Sequence, residues 1–366
     1  MTIIITDEDV AAHLSVRDCI DAMRVAFSDF ATGDAVNRPR LRYLARHPDP
    51  GLRYMANVHV GAVPSVGVAC VRAGSQILRP AGPDNPRRSY ENPTSHNWGI
   101  VILYSIETAE PLAFMQEFQL SGLRVGATTA AAVESMTRPQ ASRLGLFGTG
   151  KQARSALEAI LAVRPIDQVF VYSPNRKHRE DFCKEMARAG VSMTPVEHPR
   201  SCVTGMDIVC CATNAMEPVF DGTWLEDGQF VCSIANSDAT NKRSEVDGKT
   251  FERANTIIVN DWESVVDNDQ SELLDPIESG LVDRANVHEL GDVFTGKQVI
   301  RQPPRGAAGK GVIYYKNNSG LAIQFAAAGA ILHERVLKAG GNKSIPKEWL
   351  GSDLSSYYAK GFRPSP

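Results

Sequence analysis

Three separated places in this sequence hold side chains that could do chemistry together. Arg38 and Arg40 flank Pro39, Arg124 opens an alanine-rich stretch, and Asn236-Ser-Asp-Ala-Thr-Asn-Lys242 follows the apolar run Gln229 to Ala235. A guanidinium is a planar fork that suits a carboxylate held at two points. A pair of such arginines facing a redox cofactor would hold an α-carboxylate and present the neighbouring carbon to hydride. Plainer alternatives stand beside each. Arg38 and Arg40 would serve as solvated loop charges, Arg124 could pair with Glu117 or Glu134, and Asp238 could cap a turn.

The stretch that must position these groups is Arg143-Leu-Gly-Leu-Phe-Gly-Thr-Gly-Lys-Gln-Ala153. It reads as a buried strand, a glycine turn and a helix. Gly148 allows the sharp turn, Gly150 lets a pyrophosphate approach the backbone, and the small Ala153 lets helix and strand pack closely. Gly148, Thr149, Gly150, Lys151 and Gln152 would hold the pyrophosphate at the helix N-terminus, where free N–H groups and the dipole favour negative charge. A second strand follows at Gln168 to Tyr172. It ends in Ser173-Pro-Asn-Arg-Lys177 with no carboxylate to hold a ribose 2′-hydroxyl. Ser173, Asn175 and Arg176 suit a 2′-phosphate, so NADP(H) is the expected cofactor, with NAD(H) possible; Arg176 and Lys177 could instead merely solvate the next helix. Ligands in open α/β sheets bind beyond the carboxyl ends of the strands, which places Thr213 and the 236–242 loop beside the nicotinamide.

Bulk properties narrow the class. With 366 residues, 43% hydrophobic and 22% charged, the chain can build two domains with real cores. A net charge of −3 gives no reason to expect nucleic acid or an anionic membrane. No apolar run reaches membrane-span length, and the N-terminus lacks a basic region ahead of a long apolar one. Seven cysteines without a C-x-x-C read as reduced, structural thiols of a cytoplasmic protein, and no His/Cys grouping has metal-ligand spacing.

The order of patterns predicts the architecture. Helical spacing runs over 7–31, strand-like pieces follow, and Gly99–Tyr104 and Pro111–Phe118 flank a turn, giving an α+β region with an antiparallel sheet. A long polar segment, 79–98, interrupts it. Ser121 to Met136 is a helix bridging to short apolar strands that alternate with helices, the pattern of a Rossmann-type doubly wound parallel sheet. Another strand, 311–316, and a helix of small residues, 319–338, follow.

On Gly-Leu-Arg-Val-Gly-Ala-Thr-Thr-Ala-Ala-Ala (122–132), Gly-Thr-Gly-Lys-Gln-Ala (148–153), Asp-Ile-Val-Cys-Cys-Ala-Thr (207–213), Glu-Pro-Val-Phe-Asp-Gly-Thr-Trp-Leu (217–225), Asp238 with Lys242, and His-Glu-Leu-Gly (288–291), the chain resembles the ornithine cyclodeaminase/μ-crystallin family. The resemblance implies an α/β protein with a Rossmann domain, 124–311, and a substrate-binding and dimerisation domain made of 1–123 with 312–366, whose strands come from both chain ends. It implies a homodimer, a nicotinamide cofactor and an imine beside an α-carboxylate held by Arg40 and Arg124, with Asp238 moving a proton and Lys242 by the cofactor. The family's substrate-domain lysine falls at Ala69 or Cys70, where Arg72 is the nearest cation; Arg72 is therefore expected on the substrate. A glutamate that cyclodeaminases carry is absent around Arg53-Tyr-Met-Ala56. These departures favour an NADP-preferring reductase of an imino acid over a cyclodeaminase of ornithine or lysine with recycled NAD, or over a silent NADPH-binding protein.

Overall fold

The computed structural model describes residues 1–80, 90–94, 96, 98–235, 237, 238, 242–353 and 355. Among them, nine strands form one sheet: β1 (Thr2–Ile5), β2 (Val36–Asn37), β3 (Leu41–Arg46), β4 (Arg53–Val63), β5 (Val68–Pro80), β6 (Tyr90–Glu91), β7 (Trp98–Ser105), β8 (Pro111–Gln116) and, from the far end of the chain, β17 (Ser344–Ile345). Its path is β17-β1-β8-β7-β5-β4-β2, with β3 also on β4 and β6 on β5. Apart from the parallel β1–β8 pair, these neighbours run antiparallel. Pairing of Thr2 with Ile345 joins the two chain ends in one sheet.

The second sheet contains β9 (Arg143–Phe147), β10 (Gln168–Tyr172), β11 (Ser192–Pro195), β12 (Ile208–Cys211), β13 (Phe230–Ser233), β14 (Ala254–Val259), β15 (Val287–Glu289) and β16 (Val312–Lys316). All its pairs are parallel, in the order β11-β10-β9-β12-β13-β16-β14-β15. The strand order reverses direction between β9 and β12, which is where doubly wound sheets open a ligand crevice. The expected boundary at 312 needs correcting on one point: Val312–Lys316 lies inside the parallel sheet, between β13 and β14. Its five residues are buried on both faces, as a central parallel strand requires.

Ten helices are described: α1 (Asp7–His13), α2 (Val16–Thr32), α3 (Phe118–Met136), α4 (Lys151–Leu161), α5 (Arg176–Glu185), α6 (Gly248–Arg253), α7 (Trp262–Asp267), α8 (Ser271–Glu278), α9 (Leu290–Phe294) and α10 (Ala322–Ala339). None is long and apolar enough to cross a membrane. The single helix expected over 7–31 is two, because Ser15 and Asp18 close a capping box that restarts the helix at Val16.

One core runs without a break from the first sheet through α2, α3 and α10 to the near face of the second sheet, and holds Met23, Phe27, Leu103, Leu146, Phe325 and Leu332. A second core, with Phe147, Phe220, Phe251 and Tyr314, fills the far face of the parallel sheet. Helix α3 is buried on nearly all sides, from Arg124 through Val133. A helix apolar all round must be embedded, and its small residues let neighbours come close. A Cβ on Gly126 would strike the backbone carbonyl of Ser155 in α4. Gly126→Val should therefore push α3 from α4 and lower stability by about 1–3 kcal/mol, read as a lower urea midpoint with unchanged slope.

Candidate active site

The glycine turn lies at the switch point. Gly148 has φ +106°, and a Cβ there would collide with the carbonyl of Ala212 at the end of β12, so this residue has to be glycine. Gly150 is the N-cap of α4 and brings no side chain to its first N–H groups, leaving them for a ligand. Around the turn opens a cavity of about 1290 Å³, lined by Gly148, Thr149, Gly150, Lys151, Gln152, Ser173, Asn175 and Thr213 among others. A glycine cradle, an uncapped helix end and a crevice of this size fit a dinucleotide.

Not every residue expected at the cofactor is there. Arg176 does not line the cavity; it is exposed and ion-paired with Glu180 on its own helix at 2.7 Å. Lys177 pairs likewise with Asp181. Lys242 is exposed and also outside the lining. Lys151 lines the cavity while its amine donates to the carbonyl of Phe118 at 3.2 Å, across the joint with α3. Of the flanking segments, residues 81–89, 95 and 97 of the 79–98 stretch, and 236 and 239–241 of the 236–242 loop, lie outside the described residues.

The carboxyl ends of β12, β13 and β16 are tied together by buried charge. The Glu245 carboxylate accepts from Thr213 N (2.5 Å), Thr213 Oγ1 (2.7 Å), Ile234 N (2.9 Å) and Ala235 N (2.8 Å). Lys316, fully buried, ion-pairs with Glu272 and donates to the carbonyl of Ala235 at 2.8 Å. Burial pulls the Lys316 ammonium down to about 8, against the attraction of Glu245. This brace fixes Ala235, three residues ahead of Asp238.

Asp238 meets the other sheet. Its Oδ2 accepts from Arg40 Nη2 at 3.0 Å and from Arg42 Nη1. The Arg40 side chain is 4% exposed, which rules out the solvated-loop alternative. Arg72, on β5, grips Glu117 through Nε and Nη2, both at 2.8 Å. Arg124 is buried in α3 and takes neither carboxylate considered for it: Glu117 belongs to Arg72, and Glu134 to Arg17 and Arg24. Instead its Nη1 donates to Gln324 of α10 at 2.8 Å, and its guanidinium lies 5.0 Å from the centre of the Phe325 ring. A Cβ on Gly320 would occupy the place of that guanidinium. Burial pulls Arg40 down to about 9, with Arg42 adding to the effect and Asp238 opposing it; burial pulls Arg124 down to about 10, opposed by Glu117. Both are charged at neutral pH.

The sequence reading missed Arg42, His59, Glu245, Glu272 and Lys316 as members of this assembly, and weighed Glu117 only as a partner of Arg124, whereas it pairs with Arg72. Arg42 had a usable signal: it stands two residues from Arg40, and period two puts both on one strand face. The others meet only through tertiary pairing. His59 lies opposite Arg72 in the β4–β5 register, and Asn57 opposite Arg42 in β3–β4. The seven cysteines are all free and buried; burial pushes Cys19 up to about 12, consistent with inert structural thiols.

Burial, with Arg72, Arg40, Arg124 and Arg42 nearby, holds His59 well below its ordinary value of 6.5 and so neutral. The unfolded chain takes up a proton near 6.5 where the folded one does not, so stability falls as pH drops through that value. His59→Asn should flatten the loss of stability between about pH 7 and pH 5. Urea titrations at stepped pH measure this, and equal slopes in the two proteins would refute a neutral His59.

Comparison with known proteins agrees with this architecture. The model of the ornithine cyclodeaminase/mu-crystallin family matches residues 1–340. Delta(1)-pyrroline-2-carboxylate reductase of Bacillus cereus is 30% identical over 248 residues, which are 67% of this chain and 73% of that protein. Among solved structures, Thermococcus litoralis Delta(1)-pyrroline-2-carboxylate reductase in complex with NADH and L-proline superposes with a TM-score of 0.79 at 24% identity, over 94% of this chain and 100% of the other. An archaeal alanine dehydrogenase dimer with bound NAD superposes with a TM-score of 0.78 at 23% identity, over 94% and 99%. The two structures share the fold, and the family match covers nearly the whole chain: this protein belongs to the ornithine cyclodeaminase/mu-crystallin family.

Proposed function

We propose that this protein is an NAD(P)-dependent oxidoreductase acting on a C–N bond, reducing the imine of a 2-oxo acid, open or cyclic, to an amino acid and able to run in reverse. The observation that carries the reading is Asp238: its carboxylate meets Arg40 and Arg42 on the facing sheet, and Ala235, three residues before it, is tied through Glu245 to Thr213, which lines the dinucleotide crevice. The nicotinamide supplies or takes the hydride. Gly148 to Gln152 hold the pyrophosphate. Arg40 and Arg124 hold the α-carboxylate, and Arg72, fixed by Glu117, flanks it. Asp238 holds the proton exchanged at nitrogen and offers negative charge to an iminium. The relatives that match act on, or are bound to, small amino or imino acids and nicotinamides by name, which supports this substrate class.

For the cofactor, β10 ends without a carboxylate to repel a 2′-phosphate, and Ser173 and Asn175 line the crevice there. This supports use of NADPH, although the two cations of that turn are engaged on α5. The reductase is preferred to a cyclodeaminase because Ala69 and Cys70 supply no amine and the neighbouring cation, Arg72, is locked in its pair with Glu117.

We further infer a homodimer. The outward face of the first sheet leaves Leu41, Tyr43, Trp98 and Ile100 exposed at 64%, 51%, 66% and 49%. Apolar patches of this kind mark interfaces, and a second copy placed over the same sheet would cover them. Light scattering should give twice the monomer mass.

Reduced-nicotinamide absorbance tests the activity. With NADPH or NADH and a panel of 2-oxo acids with ammonium or methylamine, and of cyclic imines, net cofactor consumption is expected. Arg124→Ala should lower kcat/KM by at least about 100-fold, the scale of losing a buried charged carboxylate contact, with cofactor affinity retained. Ammonia release from ornithine without net redox change would replace the reductase with a cyclodeaminase. Cofactor binding with neither reaction would leave a silent binding protein.

A further inference from the structure

The inner face of the first sheet carries a strip of polar side chains that the proposed reaction leaves unused. Arg42 of β3 and Asn57 of β4 stand opposite each other. His59, two residues on, shares the face of Asn57 because side chains alternate along a strand. Arg72 of β5 stands opposite His59, and the place opposite Asn57 on β5 is taken by Gly74. A Cβ on Gly74 would stand 3.1 Å from the Arg72 guanidinium nitrogens and from Nδ2 of Asn57, so the tips of these two side chains share the room that the glycine leaves. The strip is continuous with the arginines assigned to the substrate: Arg72, Arg40, Arg124 and Arg42 all lie close enough to act on the His59 ring.

Three atoms of this strip are buried without a hydrogen-bond partner among the described residues: Nε of Arg42, Oδ1 of Asn57 and Nδ1 of His59. Protein interiors pair nearly all such groups, so three on one face mark a place for a further molecule. They do not answer one another. Nε of Arg42 only donates and the Asn57 carbonyl oxygen only accepts, so an occupant that satisfies both must take one hydrogen bond and give another. An ionised carboxylate takes and cannot give; an ammonium gives and cannot take. A hydroxyl or a carboxamide does both, and either one meets the neutral His59 ring whichever of its nitrogens holds the proton.

We propose that Asn57, His59 and Nε of Arg42 form the subsite for the substrate side chain, and that the side chain they select is neutral and polar, ending in a hydroxyl or a carboxamide. This deepens the reductase reading and rests on it. The reaction is then reduction of the imine of a 2-oxo acid that carries such a group. Hydride passes from the reduced nicotinamide to the imine carbon, the C=N bond becomes C–N, the nitrogen gains a proton by way of Asp238, and the nicotinamide is left oxidised. The polar group itself takes no part in the bond changes. It selects, because an apolar substrate of the same size would leave the buried atoms of the subsite unpaired.

The test uses pairs of 2-oxo acids matched in size, with reduced cofactor, and counts only the cofactor consumption that depends on added ammonium. Hydroxypyruvate against 2-oxobutyrate reads the hydroxyl, and 2-oxosuccinamate against 4-methyl-2-oxopentanoate reads the carboxamide. The polar member of one pair or both is expected to show kcat/KM about 10- to 100-fold higher, and the pair that does so tells the two groups apart. Asn57→Leu, close in shape and without hydrogen-bonding atoms, should shrink that preference about tenfold or more through KM; an undiminished preference would overturn the subsite. Parity within both pairs, or better use of oxaloacetate than of either polar acid, would overturn the proposal and leave the reductase standing. If no imine is reduced, the reductase reading fails separately and binding decides the ligand class. Racemic serine or asparagine should then raise the melting temperature of the NADP-loaded protein more than racemic 2-aminobutyrate or leucine does, and equal protection within both pairs would overturn the proposal.

Discussion

Charge taken out of water must be answered inside the protein, and the functional end of this fold is arranged around that requirement. Glu245 is the clearest case. Its carboxylate is fully buried and accepts from the ends of two strands, β12 and β13, at once. Lys316 enters from a third, β16, and Glu272 comes from α8 to receive it. Removal of one member would strand the others without compensation, a loss on the scale of several kcal/mol. The brace therefore does more than stabilise. It sets the height and direction at which the chain leaves β13, and so where Asp238 arrives.

The two halves of the molecule contribute different physics. A parallel sheet buried on both faces offers backbone N–H groups and a helix end, which suit phosphate. An antiparallel sheet offers alternate side chains along one face, and here that face carries Arg42, Asn57, His59 and Arg72 in adjoining rows. Helix α3 belongs to both. It lies against α4 at Gly126 and carries Arg124 into the polar cluster. Glu117, the residue just before α3, holds Arg72. One helix thereby fixes the spacing between the glycine turn and the arginine cluster.

Much of this was legible in the sequence because it depends on local pattern. Gly148 and Gly150 after Arg143–Phe147 announce the crevice, and the apolar strands of the second half announce a parallel sheet. Arg40, Arg124 and Asp238 were identifiable as types, and the fold brings Arg40 to Asp238. What was not legible depends on register and on distance along the chain. Glu117 is forty-five positions from Arg72, and Lys316 eighty-one from Ala235; no spacing rule connects them. Strand Val312–Lys316 was assigned to the wrong half because sequence order gives no sign that the chain returns to the centre of a sheet already begun. The basic turn after Tyr172 misled for the opposite reason: Arg176 and Lys177 have partners four residues on, and helix geometry satisfied them locally.

The pairing of β1 with β17 has a consequence for how the chain is made. A ribosome delivers Thr2–Ile5 first, but the strand that borders it arrives more than three hundred residues later, as does α10, which packs on β4 and β5. The parallel sheet is complete once Lys316 has emerged, so it can assemble while the polypeptide is still being extended. The arginine-bearing sheet has to wait with its inner face uncovered until α10 docks. Synthesis thus completes the parallel sheet and its glycine turn before the sheet that carries Arg42, His59 and Arg72 is covered, and the nascent chain holds a finished crevice while its other half is still open.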